Sequence, residues 1–296
     1  MDFRLKVFYS VATNLSFTKA SHELFISQPA ISKHIHELEQ QYKTPLFERK
    51  GNKIQLTHAG KLLYSYSQSL LATYRQLDFE MNLLTGHFSG ELRLGASTTL
   101  SQYVLPPLLA QFIKTFPDIR LSLISGNSLE IEKMIREGKI DLGLVEGCTY
   151  SNTLHYETFM RDELVVITHT KSALAVQDEL TLEQFCSLPL VLRENGSGTL
   201  QVLEAALADH KIKLSNLNIL IQLGNTESIK LFLENFHTLG VVSIRSVAKD
   251  IVNGTFKILE VKGLKMERLF RFVRPLGRSS GLDENFIRFL RQKKAE

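Results

Sequence analysis

From Ser27 to Tyr42 the chain reads SQPAISKHIHELEQQY, and its apolar residues fall on one side of a helix. Ile31, Ile35, Leu38 and Tyr42 follow i, i+4, i+7, i+11 spacing, which leaves Pro29, Ser32, Lys33 and His36 on the opposite face with Gln28 flanking it. Ser27 suits an N-cap, and Pro29 falls in the first turn, where a missing N–H costs nothing. Just upstream, Ser16 caps a short helix from Phe17 to Phe25 with Ala20 and Leu24 inward, and Ile26–Ser27 makes a tight turn. A first amphipathic helix over 2–13 carries Phe3, Val7, Phe8 and Val11. Two short helices around a tight turn belong to a small set of known geometries.

The polar face of the third helix is small at its start and polar after it, as a major-groove helix requires. Gln28 suits a bidentate pair with adenine, and Lys33 and His36 suit phosphate or guanine. An ordinary surface helix with a wet side is the alternative. Beyond Pro45, Leu46 and Phe47 return to the core, and Arg49-Lys50-Gly51-Asn52-Lys53 forms a basic turn before the short strand Ile54-Gln55-Leu56. Arg49, Lys50 and Lys53 on such a wing would meet sugar-phosphate or the minor groove. Charge points the same way. Residues 1–60 hold eight Lys/Arg against five Asp/Glu, +3 of the net +4, so the remainder carries only +1.

Between His58 and Leu84 there is no proline, and Gly60 is the sole glycine. Leu63, Leu70, Leu77 and Leu84 recur every seven residues, with Tyr74, Met81 and, more weakly, Ser67 between them. This reads as a coiled-coil seam joining two copies, or else as a helix packed on its own domain. Residues 85–90, TGHFSG, read as a linker. Beyond Gly90 strands alternate with helices, which predicts an α/β region with mostly parallel sheets. Strands are expected at 92–96, 119–124, 140–145, 164–168, 188–192, 219–223, 240–243, 256–260 and 269–274, and helices at 103–116, 129–137, 200–208, 227–236 and 282–293.

Open α/β folds bind ligands beyond the carboxyl ends of their strands. Three segments satisfy that rule: Ser97-Thr98-Thr99, Asn195-Gly196-Ser197-Gly198-Thr199 and Asn225-Thr226, each between a strand and a helix. Together they would cradle a small carboxylate, sulfur oxyanion or phosphate. The second segment equally suits an ordinary capped glycine turn.

The N-terminal run resembles the LysR-type transcriptional regulators. The resemblance rests on Ser16-Phe17-Thr18, Ala20, Leu24, Ser27-Gln28-Pro29-Ala30-Ile31-Ser32, Ile35, Leu38-Glu39, Leu46-Phe47-Glu48-Arg49 and Leu56-Thr57-His58-Ala59-Gly60. Ser21 and Tyr42-Lys43-Thr44 depart from that family's usual residues. The resemblance implies a winged helix-turn-helix DNA-binding domain over 1–58, a linker and dimerisation helix with hinge over 59–89, and an effector-binding domain over 90–296. That last domain would be similar to periplasmic solute-binding proteins, with one lobe of ~91–163 and ~265–296 and the other of ~164–264. Ser97 and Thr99 match the family's first effector-contact loop, Thr199 its second-lobe contact and Glu146 a third cleft position. A carboxylate at 146 resists a bare anion unless it is paired or accepts from the ligand. Residues 193–199, RENGSGT, look like the sulfur-assimilation and carbon-fixation branch. The implied partners are an operator in double-stranded DNA, a small metabolite, further copies of the chain as dimer or tetramer, and RNA polymerase.

No apolar run reaches the ~18 residues a bilayer span needs, and MDFRLKVFYS lacks the apolar segment of a secretory signal, so the expected location is the cytoplasm. Cys148 and Cys186 are too few for a disulfide framework or metal cage and read as reduced. No residues fall in a nucleophile elbow, H-E-x-x-H or Cys/His metal spacing, so neither catalysis, a metal nor a cofactor is expected. His155, His169, His210 and His237 read as isolated. Two rivals remain: a solute-binding protein, which leaves residues 1–60 unexplained, and an enzyme with an accessory DNA module.

Overall fold

A computed structural model describes residues 2–51, 53–84, 89–147, 150–276 and 281–295. The chain divides into two compact units, residues 1–87 and 88–296. No helix among the described residues is long and apolar enough to cross a membrane.

In the first unit α1 (Phe3–Asn14), α2 (Phe17–Leu24) and α3 (Gln28–Tyr42) enclose a core of Val7, Phe8, Val11, Ala20, Ile31, Ile35, Leu38 and Leu46. Ser16 and Ser27 cap α2 and α3, accepting from Lys19 N at 3.2 Å and Ala30 N at 3.4 Å. All three helices stop at a left-handed residue that is not glycine: Leu15, Phe25 and Lys43. The wing is an antiparallel pair, β1 (Phe47–Lys50) and β2 (Lys53–Leu56), with Asn52 at its tip outside the described residues. Its entry is pinned by Glu39, whose Oε1 accepts from Leu46 N at 2.8 Å and Phe47 N at 3.4 Å. Two inward expectations fail at helix ends: Phe3 is 43% and Tyr42 46% exposed, because the first and last turns project beyond the core.

The helix α4 (His58–Leu84) begins against this core. A Cβ at Gly60 would stand 2.0 Å from the Leu46 carbonyl oxygen, so only glycine permits that approach. Tyr64 stacks on Tyr9 at 5.4 Å. Leu63 also packs on the core, and Ser67 is fully buried. The expected seam therefore does not start at Leu63: the first turns of α4 are committed to their own unit. Farther along, Leu70, Tyr74, Leu77, Met81 and Leu84 are exposed, joined by Leu62 and Tyr66.

The second unit is built on a sheet of order β4-β3-β5-β12-β6-β10-β8-β9. Strands β3 (Gly90–Ser97), β4 (Ile119–Gly126) and β5 (Leu142–Val145) are parallel to one another and alternate with α5 (Leu105–Thr115) and α6 (Ser128–Arg136). A π-turn, Leu100–Val104, leads into α5. The strand β6 (Leu154–His169) is the long element, 16 residues, four times the length of β5. Its first part pairs antiparallel with β12 (Glu267–Pro275). Its second part pairs with β10 (Leu239–Ser243) and β11 (Phe256–Val261). Around that second part lie β7 (Glu179–Leu180), α7 (Leu182–Ser187), β8 (Leu190–Arg193), α8 (Gly198–Asp209), β9 (Ile219–Leu223), α9 (Thr226–Asn235) and α10 (Ile244–Val252). The chain ends in α11 (Leu282–Ala295).

Alternation along the strands divides the second core. Leu190, Leu192, Leu239 and Val241 face one side, with Leu200, Leu203 and Leu207 of α8. Val191 and Val242 face the other, with Ile229 and Leu233 of α9 and Val247 of α10. The sheet is mixed rather than mostly parallel, because β6 and β12 cross between the two halves antiparallel to their neighbours. The sequence also missed the start of β6: HYETFMRD carries too little alternation to read as a strand.

Candidate functional site

On α3 the buried residues are Ile31, Ile35 and Leu38, while Gln28, Pro29, Ser32, Lys33 and His36 are all exposed on the other side. His36 Nε2 lies 2.9 Å from the Gln40 amide, which holds the imidazole along the helix. Arg49, Lys50 and Lys53 are likewise exposed, on the facing ends of β1 and β2. One neighbour was not anticipated. Phe25, in the turn between α2 and α3, is 94% exposed with φ +54°.

The three loop segments meet different fates in the second unit. Ser97 and Thr99 are buried, and both hydroxyls donate to the Glu146 carboxylate, Ser97 in a short bond and Thr99 at 3.1 Å. Both hydroxyl hydrogens are directed to Glu146, because a buried carboxylate takes whatever donors are nearest. Arg268 completes this junction. Its Nη1 lies 3.2 Å from Glu146 and donates to Thr199 Oγ1 at 3.0 Å, and its Nε donates to Asp162 at 2.7 Å. Asp162 also accepts from Ser243 Oγ at 2.8 Å. Arg268, Asp162 and Ser243 had no signal in the sequence beyond being polar residues in or beside apolar strands.

Ser197 and Asn225 act as helix caps, accepting from Thr199 N at 3.1 Å and Ser228 N at 2.8 Å. Gly196 carries φ +88°, and its carbonyl accepts from Leu129 N at 3.3 Å. Gly198 is forced by contact: a Cβ there would stand 2.5 Å from Glu146 Cγ. Thr226 is buried and Asn195 exposed. Thr98 is buried, and its hydroxyl lacks a partner; so do Arg193 Nη1 and Gln201 Oε1. These are the unpartnered buried side-chain polar atoms among the described residues of this unit. All three sit on the segments flanking the predicted cleft.

Other expectations also need amending. His169 and His237 are not isolated: their rings stack at 5.1 Å. Cys186 is free and partly buried, with its thiol pushed up by burial, and Cys148 lies outside the described residues. A cavity of about 700 Å³ opens beside the charged junction, at the crossing strands. Its lining sets Arg161, Arg245, Arg268 and Arg271 against Glu146, Asp162, Glu163 and Glu267, four charges of each sign. Ser97–Thr99, Asn195–Thr199 and Asn225–Thr226 do not line it.

A helix-turn-helix with a wing and a two-part α/β unit with a charged cavity at its crossing strands narrow the choice of family. The model of the LysR substrate binding domain matches residues 85–295. The chain belongs to the LysR family. The model of the bacterial regulatory helix-turn-helix protein, lysR family, matches residues 3–61 of this regulator. It is 31% identical to the HTH-type transcriptional regulator CysL of Bacillus subtilis over 97% of this chain and 95% of that one. It is 30% identical to the HTH-type transcriptional activator CmpR of Synechocystis over 90% and 86%. Its fold matches the Synechocystis CcmR regulatory domain in complex with 2-PG at TM-score 0.62 and 24% identity, over 69% of this chain and 96% of that one. As a member of this family the regulator is a DNA-binding transcriptional regulator with an effector-binding domain.

Proposed function

We propose that the regulator reads an operator through α3 and holds it through the wing, as a dimer or higher oligomer joined along α4, and that a small metabolite in the second unit alters that binding. The observation that carries the reading is the division of α3. Ile31, Ile35 and Leu38 are sealed in the core, and every residue assigned to base edges or phosphate is exposed on the other side. In this reading Gln28, Pro29, Ser32, Lys33 and His36 enter the major groove, and Arg49, Lys50 and Lys53 meet the backbone. The exposed stripe Leu70, Tyr74, Leu77, Met81 and Leu84 supports pairing of two copies, because five large apolar side chains in a row on one helix favour a covered state.

The effector is a small acid. Support comes from the donors and helix N-termini gathered by the Asn195–Thr199 and Asn225–Thr226 segments, and from CcmR, whose regulatory domain binds 2-PG. Effector binding favours one arrangement of effector domains, re-spaces the recognition helices and changes operator bending. The test is operator affinity against salt, with and without candidate acids. A steep negative slope of log K against log salt, and a shift in affinity on adding an acid, are expected. A flat slope removes the DNA reading, and an operator affinity indifferent to every acid removes the effector reading.

A further inference from the structure

Of the three helix stops in the first unit that place a side chain in the left-handed region, one stands apart. Leu15 is 48% exposed, and Lys43 carries a charge that suits solvent. Phe25 is 94% exposed, more than any other large apolar residue among those described, and its φ is +54°. Glycine is the usual occupant of such a stop, and a bulky residue there is strained. A ring left in water also forgoes the burial that makes aromatic side chains stabilising elsewhere. Phe25 thus carries backbone strain and returns no packing to the fold.

The backbone around the ring is fixed. Phe25 N–H donates to Ser21 O, as does Ile26 N–H at 3.2 Å. Ile26 packs against the core, and Ser27 caps α3. A turn tied to both helices therefore holds the ring outward, three residues ahead of Gln28. At no more than about 3.6 Å per residue, the two Cα atoms lie within about 11 Å of each other. Thr18, Lys19 and His22 are exposed along α2 on the way to Phe25. The one acid of α2, Glu23, turns back to accept from Ser10 at 2.8 Å and from Asn14 at 2.6 Å. The strip that runs from α2 through Phe25 to Gln28 and Pro29 thus carries a cation and holds its acid away, which suits a polyanion.

We propose that Phe25 is a further DNA-contact residue, whose ring lies on apolar surface at the wall of the major groove, a thymine methyl or the carbon face of a deoxyribose, while α3 reads base edges. The claim rests on the reading of α3 given above and extends it to one residue outside the helix. Apolar side chains read thymine through its methyl, so the groove offers the ring a partner of matching chemistry. A helix whose N-terminal residues meet the bases brings the turn ahead of its cap to that wall. The unfavourable backbone at Phe25 is then kept for recognition, as strain at binding sites commonly is.

The test is the affinity of the full-length protein for a duplex that the wild type selects from a random pool, with thermal melting of the helical signal followed in parallel. Phe25→Gly, which suits the left-handed φ, should melt no lower than the wild type yet bind about tenfold more weakly, the loss expected when a ring gives up its cover. Phe25→Ala should lose similar affinity, and Phe25→Leu should recover part of it. Uracil in place of thymine through the selected site separates the two contacts. A loss seen with the wild type and absent in Phe25→Ala assigns the ring to a methyl, and equal behaviour of the two assigns it to the sugar. Wild-type affinity in Phe25→Gly and Phe25→Ala overturns the proposal. So does a loss matched by a lower melting temperature, which makes the ring structural, or by altered sedimentation, which places it between copies of the chain. Gln28→Ala keeps this apart from the reading of α3. If Gln28→Ala loses affinity and Phe25→Ala does not, only the role of Phe25 falls; if neither does, or the wild type selects no duplex, both fall.

Discussion

Arg268 and Asp162 face each other across the ladder of β12 and β6, as register partners, with Nε and Oδ2 2.7 Å apart and both side chains sealed from solvent. Glu146 closes on the same guanidinium from the end of β5 at 3.2 Å. One buried cation thus touches both buried carboxylates, Arg245 approaches Asp162 at 3.5 Å from its more exposed position, and the hydroxyls of Ser97, Thr99 and Ser243 donate to the same carboxylates. Such a cluster holds while every member is satisfied and fails when one is removed.

Arg268→Met should destabilise the second unit by about 3–5 kcal/mol, since it leaves the buried Glu146 carboxylate without its cation and Asp162 with the more exposed Arg245 alone. Urea unfolding followed by a probe in that unit reads the loss. Adding Glu146→Gln and Asp162→Asn should restore a substantial part of it, because neutral amides leave no unpaired charge.

Gly198→Ala should cost about 1–3 kcal/mol, as expected for an overpacked site, because the new methyl meets Glu146 Cγ at 2.5 Å. Gly224→Ala is the control. It has open space around it and no left-handed φ, so its effect should stay within about 0.5 kcal/mol. Equal effects of the two on melting temperature would contradict the close approach of α8 to Glu146.

Lys53→Ala should weaken binding to operator and random duplex alike, and should reduce the salt slope by about one unit. Gln28→Ala should cost about 1–3 kcal/mol on the operator and little on random DNA, with relaxed base preference at one position. Identical losses on both duplexes would remove Gln28 from base reading.

Leu77→Lys places a charge in the exposed stripe of α4, and Leu63→Lys places one against the core of the first unit. Sedimentation should show the first variant folded and dissociating at lower dilution than the wild type. The second should lose helix and melt early.

The legibility of the molecule follows from how local each signal is. α3 was plain because capping by Ser27, Pro29 in the first turn and the Ile31–Ile35–Leu38 stripe all lie within a dozen residues. The strands β9 and β10 were plain because each is a short apolar run bounded by polar or glycine residues. Arg268 and Asp162 were not, since a charged residue inside a strand predicts an exposed position until the partner, 106 residues away, is known. Leu63 and Ser67 fit the heptad pattern, yet they face their own unit. Periodicity fixes which side of a helix is apolar, not what covers it. The unequal roles of the loop hydroxyls were invisible for the same reason: Ser97, Thr98 and Thr99 are equivalent as letters and differ only in which of them Glu146 reaches.

The sixteen residues of β6 belong to both halves of the second unit, hydrogen-bonded to β12 along one stretch and to β10 and β11 along the other. A slack tether would let one half swing while the other ignored it. A continuous paired strand behaves as a torsion bar instead: rotation at either end must run along its length as added twist, shared with the neighbours on its flanks. A turn imposed on the half that holds β10 and β11 is thereby carried into the half that holds β12.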